Sequence, residues 1–215
     1  ALARAIVCEP KVLLLDEPLS ALDAKLRTQM RVELKQLQKK LGITFIFVTH
    51  DQEEALTMSD RVAVLNAGRV EQIGTVNEIY YKPATRFVAS FIGESNIVEA
   101  EILRSEGEFL HCRLEGGLEL DVRSPKPPAH SQILLSLRPE KIRLTRENPG
   151  GRNSFPGTIE MEIFKGAVDD LTISVQGGLQ LGAVLTNDGQ AESDLHEGER
   201  VFARIQPEDI HIVAA

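Results

Sequence analysis

The stretch Val12-Leu13-Leu14-Leu15-Asp16-Glu17-Pro18 decides the reading of this 215-residue chain. Four apolar residues in a row, without polar alternation, predict a strand buried on both faces of a parallel sheet. Two carboxylates arrive together at its carboxyl end, where open α/β sheets place their ligands. Working outward, Ser20-Ala21-Leu22-Asp23 follows the strand, and a second apolar strand, Ile43–Val48, leads into Thr49-His50-Asp51. Between the strands, Leu26, Met30, Leu34, Leu37 and Leu41 are spaced four, four, three and four apart. That is the stripe of an amphipathic helix, and Gly42 is expected to end it as a left-handed cap. Lys25, Arg27, Arg31, Lys35, Lys39 and Lys40 fall mostly off the stripe and read as a solvated face.

A strand delivering Asp-Glu, followed one helix later by a strand delivering His, is the back half of a nucleotide-hydrolysing site. The plain alternative is a core strand whose acidic end is merely solvated. Asp51 and Glu54 have capping-box spacing with Asp in place of Ser or Thr, so a helix-cap role is preferred for Asp51 over a catalytic one.

Further along, Arg61–Leu65 and Arg69–Ile73 flank Asn66-Ala67-Gly68 as a hairpin. Thr75-Val76-Asn77-Glu78 is a capping box, and Pro83 is expected to start a last helix carrying Phe87, Val88, Phe91 and Ile92. Near Gly93 the texture changes to short β-type runs, which places a domain boundary between 1–94 and 95–215.

The second part repeats itself. Residues 109–118 (FLHCRLEGGL) align with 170–179 (DLTISVQGGL) at an offset of 61, and 137–142 (LRPEKI) with 205–210 (IQPEDI) at an offset of 68. The difference of seven implies an insertion inside the second copy. Two copies of one short all-β unit, about 95–146 and 153–213, predict a small barrel or a pair of OB-like halves. Gly116-Gly117 and Gly177-Gly178 read as its hairpin turns. Arg138-Pro139-Glu140 invites an oxyanion-clamp reading, but a turn with a strand-edge ion pair is preferred, because the second copy keeps the Pro and Glu and replaces the Arg with Gln206.

Composition narrows the function. The net charge is −8, and residues 95–215 carry all of it, with 12 basic against 20 acidic residues, whereas residues 1–94 balance at 12 each. An acidic second domain argues against nucleic acid as a partner. Cys8 and Cys112 fit no metal-ligand spacing and read as small reduced hydrophobes.

These motifs together resemble the later part of an ABC transporter ATPase subunit. Ala1-Leu2-Ala3-Arg4-Ala5 is similar to the helix after the family's signature sequence, LLLLDEP to its Walker B segment, SALD to its D-loop, and THD to its switch-histidine loop. The run LGITFIFVTHDQEEALTMSDRVAV is closest to importer ATPases of the spermidine/putrescine type, and the tail resembles a TOBE-type regulatory domain. The resemblance implies part of a RecA-like P-loop NTPase domain (α/β) followed by an all-β OB-like domain. By the same resemblance Asp16 would hold Mg²⁺, through a coordinated water, and Glu17 would orient or deprotonate the attacking water. His50 would contact the γ-phosphate of ATP, and Ser20 and Asp23 would lie at the interface of a head-to-tail dimer, Asp23 with a helix cap as its alternative role.

The resemblance further implies partners: a second ATPase subunit, transmembrane permease subunits and, indirectly, a solute-binding protein, at the cytoplasmic face of the membrane. The solute would be a polyamine, with ferric iron, sulfate or a sugar as alternatives. A ligand-sensing β module with an inert ATPase remnant is the rival from another class. A non-transport ABC ATPase of DNA repair or translation is disfavoured by the acidic tail. The sequence holds no G-x-x-x-x-G-K-[ST] loop, no LSGGQ and no Q-loop, so the expectation is a C-terminal fragment that is inactive alone.

Overall fold

The computed structural model describes residues 2–126, 128–187 and 195–214. Contacts divide the chain into two units, Ala1–Val64 with Ile73–Asn77, and Leu65–Gln72 with Glu78–Ala215.

The first unit runs α1 (Leu2–Val7), β1 (Val12–Asp16), α2 (Ala24–Leu41), β2 (Thr44–Val48) and α3 (Gln52–Met58). Strands β1 and β2 pair in parallel from Val12↔Thr44 to Asp16↔Val48. Such a pairing needs a crossover, which α2 supplies. Asp23 caps α2 by accepting the Leu26 N–H, and Gly42 (φ 65°) ends it, its N–H donating to the Gln38 carbonyl. A core of Leu19, Leu34 and Met58, with Leu22, Met30 and Phe47 against it, fills the side of the sheet that α2 covers.

The opposite face corrects the expectation of strands buried on both sides. Leu14 is 71% exposed, Val48 58% and Ile46 48%. The apolar runs hold residues for two covered faces, but among the described residues α2 covers only one. A second correction concerns α2 itself. Arg31 is not solvated but buried at 7% exposure, because its face of α2 meets the acidic start of α3.

A hairpin of β3 (Arg61–Asn66) and β4 (Arg69–Thr75) falls across the division between the units. Its turn is the two-residue Ala67-Gly68, both at positive φ, a type I′ geometry rather than a three-residue loop.

The second unit includes α4 (Val76–Tyr81) and α5 (Arg86–Phe91). Helix α5 starts three residues later than Pro83 suggested, because Thr85 is its cap and accepts the Val88 N–H. Among the described residues, ten strands then alternate with turns: β5 (Asn96–Glu106), β6 (Phe109–Leu114), β7 (Glu119–Arg123), β8 (Gln132–Leu137), β9 (Arg143–Thr145), β10 (Ser154–Phe164), β11 (Val168–Ser174), β12 (Gln180–Thr186), β13 (Arg200–Arg204) and β14 (Ile210–Val213).

These form two five-stranded sheets, ordered β14-β8-β5-β6-β7 and β12-β11-β10-β13-β9. The repeat is therefore exchanged at its ends. The last strand of the first copy, β9, pairs with β13, and the last strand of the second copy, β14, pairs with β8. One continuous core holds residues from both sheets, among them Leu110, Leu120, Leu135, Ile159, Ile173 and Leu181. The Pro-Glu segments at 139–141 and 207–209 are matching 3₁₀ turns. The insertion in the second copy falls between β12 and β13, where 188–194 lie outside the described residues.

Arg138 differs from both sequence readings. It is 2% exposed and its guanidinium donates to the carbonyls of Tyr80 (2.7 and 3.1 Å), Glu94 (2.8 Å) and Ala89 (3.4 Å) while stacking over the Tyr80 ring at 4.2 Å. Its bonds go to carbonyl oxygens, not to a carboxylate, and they tie α4 and α5 to the first sheet. Burial lowers its pKa.

Candidate functional site

The site forms where β1 and β2 end side by side. Asp16 is the last residue of β1, opposite Val48, and the chain continues in register for one more step, the Glu17 N–H donating to the Val48 carbonyl at 2.8 Å. Glu17 itself sits at φ 43°. A left-handed conformation costs a non-glycine residue about 1–2 kcal/mol, and such residues concentrate at functional sites. Here it turns the Glu17 side chain off the strand direction. The hydroxyl of Ser20 donates back to the Glu17 carbonyl at 3.0 Å, closing the turn.

From the neighbouring strand end, His50 presents Nδ1 to Glu17 Oε1 at 2.9 Å. A carboxylate cannot donate, so Nδ1 carries the proton of this bond. Hydrogen bonding to Glu17 and its charge raise the His50 pKa above the ordinary 6.5. With Nδ1 committed to Glu17, only the protonated ring can also donate from Nε2.

Asp51 follows immediately and caps α3, accepting the Glu54 N–H at 3.1 Å. Burial pushes its pKa up, but the Glu54 N–H and the Arg31 charge outweigh this and hold it below the usual carboxylate value. The capping box is only half formed: the Asp51 N–H donates to Thr49 Oγ1, whose hydroxyl donates to Glu54.

The structure thus brings Asp16, Glu17, Ser20 and His50 to one rim. Asp23 stands apart from the Glu17–His50 pair in role, with its carboxylate engaged in the cap of α2. Asp16 is exposed. One or two carboxylates with open positions suit Mg²⁺, which keeps waters and binds phosphate oxygens. Among the described residues no group of three or more His, Cys, Asp and Glu is arranged to hold a metal. A cleft of about 480 Å³ beside Asp16 is lined mainly by apolar residues such as Leu13, Leu19, Leu22 and Met30, which does not suit a phosphate. Another cleft, about 680 Å³, lies in the β unit beside Gln132 and Ile212 and holds none of these residues.

Comparison with known proteins bears on the whole chain. The TOBE domain family matches residues 135–213. The spermidine/putrescine import ATP-binding protein PotA of Acidothermus cellulolyticus is 46% identical over 211 residues, which is 97% of this chain and 55% of that protein. PotA 1 of Pseudomonas aeruginosa is 52% identical over 187 residues, 86% of this chain and 49% of that protein. Over most of its length the chain is thus similar to proteins named as ATP-binding subunits of spermidine/putrescine importers. It spans about half the length of these curated relatives. The cytoplasmic molybdate-binding protein ModG resembles it in fold at a TM-score of 0.50 and 18% identity, over 62% of this chain and 99% of that one. The second unit thus has an OB-like, duplicated β fold, and its residues 135–213 match the TOBE domain family.

Sequence reasoning missed Arg27 and Arg31 as neighbours of the histidine loop. Their spacing of four on α2, matched to the acidic start of α3, was the available signal.

Proposed function

We propose that this chain is the later part of the ATP-hydrolysing subunit of an ABC importer, energising uptake of a polyamine such as spermidine or putrescine. The observation that carries the reading is the 2.9 Å bond between Glu17 and His50 at the rim of a parallel strand pair, next to Asp16. In this reading Asp16 helps hold Mg²⁺, Glu17 orients or deprotonates the attacking water, and His50 donates to the terminal phosphate. Phosphoryl transfer asks the protein for this positioning and charge stabilisation. When bound with ATP, the metal supplies charge neutralisation across the phosphates.

The residues here fit the metal and water side of such a site. The phosphate-cradling side needs a loop that this sequence does not contain. A second copy, arranged head to tail with Ser20 and Asp23 at the interface, and permease subunits at the cytoplasmic face of the membrane complete the proposed assembly. The polyamine assignment is supported by relatives, 46% and 52% identical, that are named spermidine/putrescine import ATP-binding proteins.

The test uses a subunit of the relatives' length that includes a phosphate-binding loop. Glu17→Gln is expected to lower turnover by about 10²–10⁴-fold with ATP affinity retained in equilibrium titration. Loss of ATP binding in that variant would contradict the role of Glu17. Uptake of labelled spermidine, ferric iron, sulfate and sugar in a deletion strain decides the solute.

A further inference from the structure

The loop carrying His50 is held from behind by α2. Arg27 and Arg31 both donate to Asp51 Oδ2, at 3.3 and 3.2 Å, and Arg31 reaches Glu53 as well at 2.6 Å. Arg27 makes one more bond, from Nη2 to the carbonyl of Leu22 at 3.0 Å. It therefore touches both the Ser20–Asp23 segment and the residue after His50. On the other side of His50, Thr49 is pinned by the Asp51 N–H and by Glu54. His50 itself is mostly exposed, so its own packing does not fix where it sits. Of its two neighbours, Asp51 is tied to α2, and Thr49 is tied to Asp51 and to Glu54 of α3.

We infer that Arg27 and Arg31 are positioning residues, holding the His50 loop against Glu17 through Asp51, and that Arg27 couples this loop to the Ser20–Asp23 segment. The inference rests on the proposed ATPase reading only for its effect on turnover; its geometric content stands apart from that reading. A guanidinium suits the coupling because its planar fork serves two acceptors at once, which a single ammonium on a flexible stem does less well. The bonds of both arginines go to Asp51, Leu22 and Glu53, so their effect is expected in the chemical step and not in binding.

The test has two parts. In this chain, the titration of His50 is followed by NMR in wild type, Arg27→Lys and Arg27→Gln. Removing a nearby cation would by itself raise the His50 midpoint, since His50 would be charged beside one positive charge fewer. Loss of the contact with Glu17 would lower it instead. The inference expects a downward shift toward the ordinary value of 6.5 in Arg27→Gln, partly restored in Arg27→Lys. An unchanged or raised midpoint in a folded Arg27→Gln overturns it.

In a subunit of the relatives' length, Arg27→Gln is expected to lower kcat by about tenfold, on the scale of small misplacements of catalytic groups, with KM for ATP within about twofold of wild type. Equal kcat per folded molecule also overturns the inference. Arg31→Ala removes a buried side chain from the contact between α2 and the start of α3, so Arg31→Lys, which keeps the charge, is used beside it and is expected to lower kcat at unchanged KM. Should Glu17→Gln leave turnover intact while Arg27→Gln still shifts His50, the ATPase reading fails and the positioning role survives.

Discussion

Asn96 and Asn153 make the same pair of bonds in opposite directions between the two copies of the β domain. Asn96 accepts the N–H of Gly182 at 2.7 Å and donates to its carbonyl at 2.8 Å. Asn153 accepts the N–H of Asp121 at 2.7 Å and donates to its carbonyl at 2.8 Å. Gly182 lies on β12 and Asp121 on β7, and each of these is the edge strand of its sheet. An edge strand carries unpaired backbone groups that invite further pairing. Each asparagine satisfies that edge in the other copy, so the exchange of β9 and β14 is reinforced by two reciprocal clamps.

Replacing either asparagine by alanine should therefore cost about 1–3 kcal/mol, because a backbone N–H and carbonyl lose their partners. Urea unfolding is expected to show a lower midpoint at unchanged slope. Asn96→Asp should be as damaging as Asn96→Ala at neutral pH, since a carboxylate can accept from Gly182 but cannot donate to its carbonyl. Stability equal to wild type in either alanine variant would contradict the clamp.

Two glycine turns separate a conformational requirement from a steric one. Gly177 and Gly178 both have positive φ, at 74° and 77°. A Cβ on Gly177 would lie 2.3 Å from the Gly116 Cα and carbonyl oxygen, backbone that has nowhere to move, whereas one on Gly178 meets nothing within 4 Å. Gly178→Ala should lose about 1–2 kcal/mol from the left-handed conformation alone. Gly177→Ala should lose more than that and disturb the contact between the two turns, which chemical denaturation of the pair of variants will compare. Equal losses would mean that the turns do not pack as described.

Much of this was legible because it is local. The Asp-Glu rim, the helix caps at Asp23 and Asp51 and the paired Gly-Gly turns are all read from residues within a few positions of one another. What stayed hidden depends on partners far apart in the chain. Asn96 and Asn153 are related by 57, not by the 61 that aligns β6 with β11, because the second hairpin is longer; their neighbours also differ, so no run of identity marks them. The strand exchange leaves no trace in a repeat read copy by copy, since an apolar pattern fixes which face is buried but not which strand lies alongside. Arg31 looked like surface because a helical stripe accounts for one packed face, and the second face appears only when α3, 20 residues on, is folded against it.

His111 gives the β domain a pH dependence with a definite sign. Its Nδ1 bonds Asp121 and its Nε2 bonds Glu119, both at 2.9 Å, so both nitrogens must donate and the ring is held as the cation. The bonds to Asp121 and then Glu119 raise its pKa above 6.5, with burial and Arg104 opposing. A raised folded-state pKa contributes stability that is complete below the unfolded value and lost as pH rises through the folded one. The melting temperature should thus fall from about pH 6.5 upward, by no more than about 4 °C for a partly exposed pair. His211 acts in the other direction, since burial lowers its pKa and its contribution is lost as pH falls below 6.5. His111→Gln should remove the alkaline loss and leave the acid one, and an unchanged alkaline slope in that variant would contradict the assignment.

The Glu17–His50 pair makes a sharper prediction about ATP. This chain offers the rim that would hold metal and water but no loop to cradle phosphates, and electrostatic preorganisation around the phosphates is where most binding and rate enhancement originate. Calorimetry on the chain as it stands should therefore detect no ATP binding tighter than the millimolar range. In a subunit of the relatives' length, His50→Ala should bind ATP and lose turnover by about 10²-fold or more. Because Nδ1 is committed to Glu17, donation from Nε2 requires the protonated ring, so turnover should fall as pH rises through the raised His50 midpoint. Millimolar or tighter binding by the chain alone would refute the fragment reading, and a pH profile unchanged in His50→Gln would refute the role of the histidine.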